Sequence, residues 1–139
     1  MIIGIGTDVV QIDRIEKIYD KYKNNFLAKN FHPKECEYFF TLKAPKTISY
    51  LAKRFAGKEA IVKAFGSGIG SNFAFKDIAI LNDEFGAPYV EIFRNNNKVF
   101  IDKKIHISLS DDYPIAVAFA VISHYSHSEI VSESGKNVY

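Results

Sequence analysis

Arg54-Phe55-Ala56-Gly57-Lys58-Glu59-Ala60-Ile61-Val62-Lys63 sets one carboxylate and three cations on a single helix-forming stretch. Arg54/Lys58 and Glu59/Lys63 are four apart, so each pair shares a helix face. Such a set suits a metal-bound polyphosphate: the carboxylate can hold a divalent ion and the cations can neutralise phosphate. Gly66-Ser67-Gly68-Ile69-Gly70 follows. Its backbone N–H groups can converge on an oxyanion, or Gly66 can simply cap the helix.

Each candidate also has an ordinary reading. Asp8 follows a short apolar run, where it can hold a metal at a sheet's edge or cap the next element. Glu59 and Lys63 can be a surface pair worth about 0.3–0.5 kcal/mol. Lys58 falls between Leu51, Val62 and Phe65 on a helical wheel, inside the apolar stripe. Its stem can pack while the ammonium reaches water, or the ammonium can meet an anion. His106 lies on the polar side of an alternating strand and can face solvent or contact phosphate or ribose. Gly4-Ile5-Gly6 lacks the third glycine and the parallel βαβ setting of a dinucleotide fingerprint. The later glycine run ends a helix instead of opening one and lacks Gly-Lys-Ser/Thr, so it is no P-loop. His32, His124 and His127 have no metal-ligand company.

The elements that must position these residues can be read from periodicity. Ile2 to Asp8 reads as a buried strand. Ile12, Ile15, Tyr19, Tyr22 and Phe26 mark one face of a helix, with Asp13 and Glu16 at capping-box spacing. Pro33 opens a short helix to Phe40. A long helix runs from Pro45 to about Phe65. Strands are expected over Lys76–Leu81, Pro88–Phe93 and Ile105–Ser110, with a turn at Asn82–Gly86 and a tight turn at Asp111-Asp112. A short helix is expected within Arg94–Lys103. Ile115–Ile122 is almost wholly apolar, which predicts a central strand buried on both faces. The fold class is α+β, a mainly antiparallel sheet against a long central helix and shorter ones.

The chain has 139 residues, 47% of them apolar, with twelve Phe and eight Tyr, which argues for one well-filled domain. We expect this domain over 1–123 and a polar, loosely held extension over 124–139. A net charge of +2 gives no bulk signal for nucleic acid. The single Cys36 excludes an internal disulfide and any Cys-based metal cluster. No run has the ~18 apolar residues of a membrane span. The N-terminal run has no basic region and reaches Asp8 too soon for a signal peptide. The expected location is the cytoplasm.

Gly4-Ile5-Gly6-Thr7-Asp8 together with Arg54 through Gly70 resembles the paired signatures of the 4'-phosphopantetheinyl transferases. Length and the position of the first signature resemble the short class, the holo-[acyl-carrier-protein] synthases. Gly86-Ala87-Pro88-Tyr89 resembles that class's Gly-x-Pro hairpin, and Ile105 to Ser110 its late strand. The resemblance covers roughly residues 1–123. The turn after Ser110 is shorter than in many members, and a further histidine there is missing.

The resemblance implies transfer of the 4'-phosphopantetheine arm of coenzyme A to a serine of apo-acyl carrier protein, releasing adenosine 3',5'-bisphosphate. It implies Mg²⁺ on Asp8 and Glu59, with Glu59 or a metal-associated water able to take the serine's proton. Lys63 would stabilise or protonate the leaving phosphate, and Lys58 would hold the pyrophosphate. Arg54 and His106 would grip the 3'-phosphate. Gly66, Ser67, Gly68 and Pro88 would frame the nucleotide. An acidic carrier would dock on Arg14, Lys17 and Lys21 of the first helix, with Ile18 and Phe26 as apolar anchors; Glu16 and Asp20 dilute that charge. The resemblance also implies a homotrimer with sites between subunits. A noncatalytic coenzyme A or nucleotide-binding module is the alternative. It needs Arg54, Lys58 and the glycines but not both carboxylates.

Overall fold

Strand β1 (Ile2–Gln11) enters against the long helix at very short range, and its glycines permit this. A Cβ on Gly4 would stand 2.0 Å from the Ala64 carbonyl oxygen, and one on Gly6 would stand 2.1 Å from that of Ala60. The Gly-Ile-Gly motif is therefore a packing device. The structure, a computed structural model, describes residues 1–66 and 72–129.

After β1 come α1 (Ile12–Tyr22), α2 (Asn24–Asn30), α3 (Pro33–Phe39) and the 20-residue α4 (Lys46–Phe65). A 3-10 turn (Phe75–Asp77) leads into β2 (Ile78–Asn82), β3 (Pro88–Arg94), β4 (Asn97–Val99), β5 (Lys103–Asp112) and β6 (Ile115–His124). The strands form two three-stranded antiparallel sheets, ordered β1-β6-β5 and β2-β3-β4. The α+β expectation holds, with two sheets around the long helix.

Ala52, Ala56, Ala60 and Ala64 recur every four residues along α4, and all are buried. This small-residue stripe lets the helix lie on β1 and on Ala116, Ala118 and Ala120 of β6. Gly57 serves the other side, where a Cβ would meet Ile80 Cδ1 at 2.5 Å and Leu109 Cδ2 at 3.1 Å. So α4 is wedged between the sheets, buried on most of its circumference.

Five expectations are corrected. The first helix breaks at Lys23, whose φ of 46° is left-handed, and the chain restarts as α2. Arg94–Lys103 holds no helix. Asn95 and Asn96 both take positive φ, the signature of a two-residue hairpin turn, and join β3 to β4. Strand β5 runs through Asp111 and Asp112, so the turn falls at Tyr113-Pro114. Strand β6 is central, but only one of its faces is covered. Phe119 on the other face is 46% exposed. The α1 capping box is also absent: Gln11 caps without its side chain, and Asp13 accepts from the Tyr113 hydroxyl at 2.8 Å.

The beginning of the expected C-terminal extension is tied to the body. His124 N donates to Met1 O, Tyr125 packs on Phe100, and Lys104 pairs with Glu129 at 2.8 Å. Residues 130–139 lie outside the described residues. No helix among the described residues is long and apolar enough to cross a membrane.

Candidate functional site

Side chains alternate along β1, so Asp8 shares the α4-facing side with Gly4 and Gly6. Gly4 meets α4 at Ala64 and Gly6 meets it at Ala60, one turn back. Asp8 thus arrives beside the turn that carries Glu59 and Lys63. Lys63 Nζ donates to Asp8 Oδ1 at 2.9 Å and to the Thr7 carbonyl at 3.2 Å. Glu59 is half-buried one turn before Lys63. Strand β1 and the helix thus bring Asp8 and Lys63 into contact, with Glu59 one helical turn before Lys63.

The chemistry of this donor set suits a hard cation. The Lys63 ammonium already occupies one carboxylate oxygen of Asp8, which marks a cation-accepting position. Among the described residues no group of three or more His, Cys, Asp or Glu gathers to hold a metal. A metal at this position would take two carboxylates and complete its shell with water and substrate oxygens, the usual arrangement for Mg²⁺.

A second feature lies further back along α4. Arg54 is 5% exposed, its guanidinium stands 4.3 Å above the Tyr50 ring, and its Nη2 donates to Asn82 Oδ1 at 2.6 Å. Burial pulls the guanidinium below its ordinary range, while Tyr50 and Glu35 act in the opposite direction. Its Nε has no hydrogen-bond partner among the described residues. The recess here has a volume of about 330 Å³ and is lined by Lys46, Lys53, Arg54, Tyr38 and Asn82, among others. Lys53 pairs with Asp111 at 2.9 Å. Pro88 is paired with Asn82 across the β2–β3 hairpin, so it stands beside this recess.

Lys46, Lys53 and Asn82 were not singled out from the sequence. The two lysines carried a readable signal: seven residues separate them, two helical turns, and Lys53 precedes Arg54. Asn82 gave none beyond its turn chemistry.

The expectation that Lys58 holds pyrophosphate is corrected. Its ammonium is fully buried and donates to Glu35 Oε1 at 2.6 Å, to the Phe75 carbonyl at 2.9 Å and to the Ile78 carbonyl. An ammonium has three protons, and all are used. Burial lowers the Lys58 pKa, and the Glu35 carboxylate opposes that.

His106 is not brought to the other site residues within one chain. Ile107 and Leu109 face Gly57 of α4, so His106, alternating with them, projects from the far side of the sheet. Its Nε2 lies 3.0 Å from Ser123 Oγ. Gly66 takes φ 65° and donates its N–H to the Lys63 carbonyl, ending α4. Ser67 and Gly68 lie outside the described residues.

On α1, Arg14 and Lys21 are exposed and Ile18 is half-buried. Phe26 is 6% exposed, packed on Phe31 and Phe55, so it is not a protruding anchor. It forms the floor of a largely apolar groove of about 480 Å³ lined also by Ile18, Tyr22, Lys29 and Phe55.

A carboxylate within β1 paired to a lysine of α4, with Glu59 one turn before that lysine and a cationic recess along the same helix, suits phosphoryl-transfer chemistry. Residues 4–118 match the model of the 4'-phosphopantetheinyl transferase superfamily, and the chain belongs to that family. It is 45% identical over 129 residues to a holo-[acyl-carrier-protein] synthase of Orientia tsutsugamushi (strain Ikeda), covering 88% of this chain and 98% of that protein. A holo-(acyl-carrier-protein) synthase from Bacillus anthracis str. Ames, solved in complex with CoA (3',5'-ADP), is similar in structure. Its TM-score is 0.77 at 34% identity, over 90% of this chain and 99% of that one. A holo-[acyl-carrier-protein] synthase from Neisseria meningitidis gives 0.74 at 34% identity, over 88% and 99%.

Proposed function

We propose that this chain, a phosphopantetheinyl transferase by family, moves the 4'-phosphopantetheine arm of coenzyme A to a serine of apo-acyl carrier protein through the Asp8–Glu59–Lys63 site. The observation that carries this reading is the Asp8–Lys63 contact at 2.9 Å, one helical turn from Glu59. It joins two segments 55 residues apart in sequence into one charged cluster.

In the reaction the carrier's serine oxygen forms a bond to the phosphorus that bears the pantetheine. The bond from that phosphorus to the bridging oxygen breaks, and adenosine 3',5'-bisphosphate leaves. A divalent cation on Asp8 and Glu59 would supply charge neutralisation at the pyrophosphate. Lys63 has a 54% exposed side chain and can turn from Asp8 toward the leaving phosphate oxygen. Its ammonium offsets the charge that develops there. Glu59 would be the chain's own acceptor for the serine's proton. Arg54, with Lys46 and Lys53 beside it, suits the 3'-phosphate. Gly66 and Pro88 would border the nucleotide, with Ser67 and Gly68 following in the sequence. Both carboxylates are half-buried, neither in the core nor on open surface, which favours the enzyme over a noncatalytic coenzyme A-binding module.

His106 would complete the nucleotide site from a neighbouring subunit. The outer face of the β1-β6-β5 sheet supports this. Ile5, Val121 and His106 form one cross-strand row, and Thr7, Phe119 and Ser108 another. Ile5 is 62% and Val9 59% exposed, an apolar sheet face suited to a second copy of the chain. A homotrimer is the assembly we assign to it. The acidic carrier would dock along Arg14 and Lys21, with Ile18 and the groove floored by Phe26 taking an apolar side chain. One cysteine and a carrier-protein substrate are consistent with the cytoplasm.

Incubating the protein with coenzyme A, Mg²⁺ and apo-acyl carrier protein tests the reading. The expected result is a carrier heavier by one phosphopantetheine arm. A carrier of unchanged mass, with coenzyme A still bound by the protein, would favour the noncatalytic module.

A further inference from the structure

Lys58 and Glu35 lie outside the transfer chemistry, yet they are among the largest fully buried side chains. Two buried charges are costly unless each is fully paired and hydrogen-bonded. Here the pairing is thorough, and its geometry is specific. Strand β2 is the edge of its sheet. Alternate residues of an edge strand turn their N–H and C=O groups outward, where a further strand would pair with them. Glu35 Oε2 accepts from Ile80 N at 3.2 Å, and Lys58 Nζ donates to the Ile78 carbonyl. The ion pair thus substitutes for a neighbouring strand along that edge.

The pair reaches further on both sides. Glu35 Oε1 also accepts from His32 N at 2.9 Å, fixing the start of α3, and the Tyr50 hydroxyl donates to the Glu35 carbonyl at 3.2 Å. Lys58 Nζ binds the Phe75 carbonyl, where the chain returns after the glycine segment. Lys58 is adjacent to Glu59 and one turn past Arg54. At the far end of β2, Asn82 meets the Arg54 guanidinium at 2.6 Å. Strand β2 is held to α4 at two points: the buried pair at its start and the Arg54–Asn82 bond at its end.

We infer that Glu35 and Lys58 are a positioning pair that fixes strand β2 on α4, so that Asn82 holds the Arg54 guanidinium in its coenzyme A-binding orientation. This rests on the reading of Arg54 as a coenzyme A contact. The pair touches no substrate. It acts through Asn82, on the affinity for coenzyme A more than on the transfer step.

Calorimetric titration with coenzyme A, thermal unfolding and steady-state kinetics, all on the full chain, test this. Arg54→Ala checks the underlying reading; unchanged coenzyme A affinity in it would remove Arg54 from the site and the inference with it. Glu35→Leu/Lys58→Met removes both charges together, which avoids stranding one of them. It should recover most of the melting temperature that either single variant loses. Even so, it should weaken coenzyme A by about tenfold and raise KM in step, with kcat changed less than about threefold. Asn82→Ala leaves the buried pair intact and is exposed, so it will fold. It should weaken coenzyme A to a similar extent, and adding it to the double variant should cost little more. A folded double variant with wild-type affinity overturns the inference. So does wild-type affinity in Asn82→Ala, whether or not the double variant folds, provided Arg54→Ala still weakens binding.

Discussion

Gly6 lies directly under the Ala60 carbonyl, so that a Cβ built on it would stand 2.1 Å from that oxygen. This contact sets how far β1 slides along α4, and hence where Asp8 stands relative to Lys63. The obstacle is helix backbone, which cannot swing aside as a side chain can. Gly6→Ala is expected to cost about 3 kcal/mol or more, lowering Tm by roughly 10 °C. A thermal melt within a few degrees of wild type would mean the strand can shift without loss.

Asp8 and Glu59 are expected to be needed for turnover and dispensable for folding, since both lie at the margin of the core. Asp8→Asn and Glu59→Gln preserve shape and remove charge. Each should lower kcat on the order of 10²–10³. Raising Mg²⁺ should recover part of the loss if the defect is cation affinity. Near-normal turnover at moderate Mg²⁺ would take that residue out of the metal site.

His106 faces away from α4, on the outer sheet face with Ile5 and Val121. If a neighbouring subunit supplies it, two defective variants should rescue each other. Asp8→Asn and His106→Ala are each expected to be weak alone. Unfolded and refolded together in equal amounts, they should regain about a quarter of wild-type activity, the share of interfaces that unite both intact halves. Light scattering should report a trimer. Absence of rescue in a mixed trimer would return His106 to a solvent-facing role.

The part of the candidate site carried by one helix was legible in the sequence. Glu59 and Lys63 depend on local spacing, and spacing survives folding, whereas the meeting of Lys63 with Asp8, 55 residues away, depends on how β1 docks on α4. Lys58 was legible as an anomaly, a charge within an apolar stripe, but its partner was not. Glu35 lies 23 residues away, and only the docking of α3 on α4 brings the two together. The two-residue turn at Asn95-Asn96 was written in the sequence, yet the surrounding polar residues masked it as helix. The open face of β6 was beyond reach for a different reason. An apolar run reads the same whether its second face meets this chain or another copy.

His32 caps α3, its Nδ1 accepting from Lys34 N at 3.1 Å, and its ring stacks on Phe93 at 3.9 Å. Burial lowers its pKa, as do Lys34 and Lys58, against weaker opposing effects from Glu91 and Asp77. The unfolded chain therefore takes up the proton first as pH falls. Stability from this group is present above about pH 6.5 and is lost on acidification below it. Protonation also removes the Nδ1 acceptor. Melting temperatures across pH 7 to 5 should fall more steeply for wild type than for His32→Asn, which can still cap. Parallel slopes would assign the acid sensitivity to other groups.

Arg14 and Arg54 should separate the two substrates. Arg14 is exposed on α1, beside the groove lined by Ile18 and Tyr22, whereas Arg54 is buried in the recess with Lys46 and Lys53. An acidic carrier meeting Arg14 across a wet rim is attracted through screened charge, so its affinity should fall as salt rises. Arg14→Glu is expected to weaken carrier binding by about tenfold at low salt and flatten the salt dependence, leaving coenzyme A affinity within about twofold. Arg54→Ala should do the reverse. Titrating each variant with each ligand at two ionic strengths checks both halves. Should Arg14→Glu bind carrier with wild-type affinity and salt slope, α1 is an ordinary solvated helix and the carrier docks elsewhere.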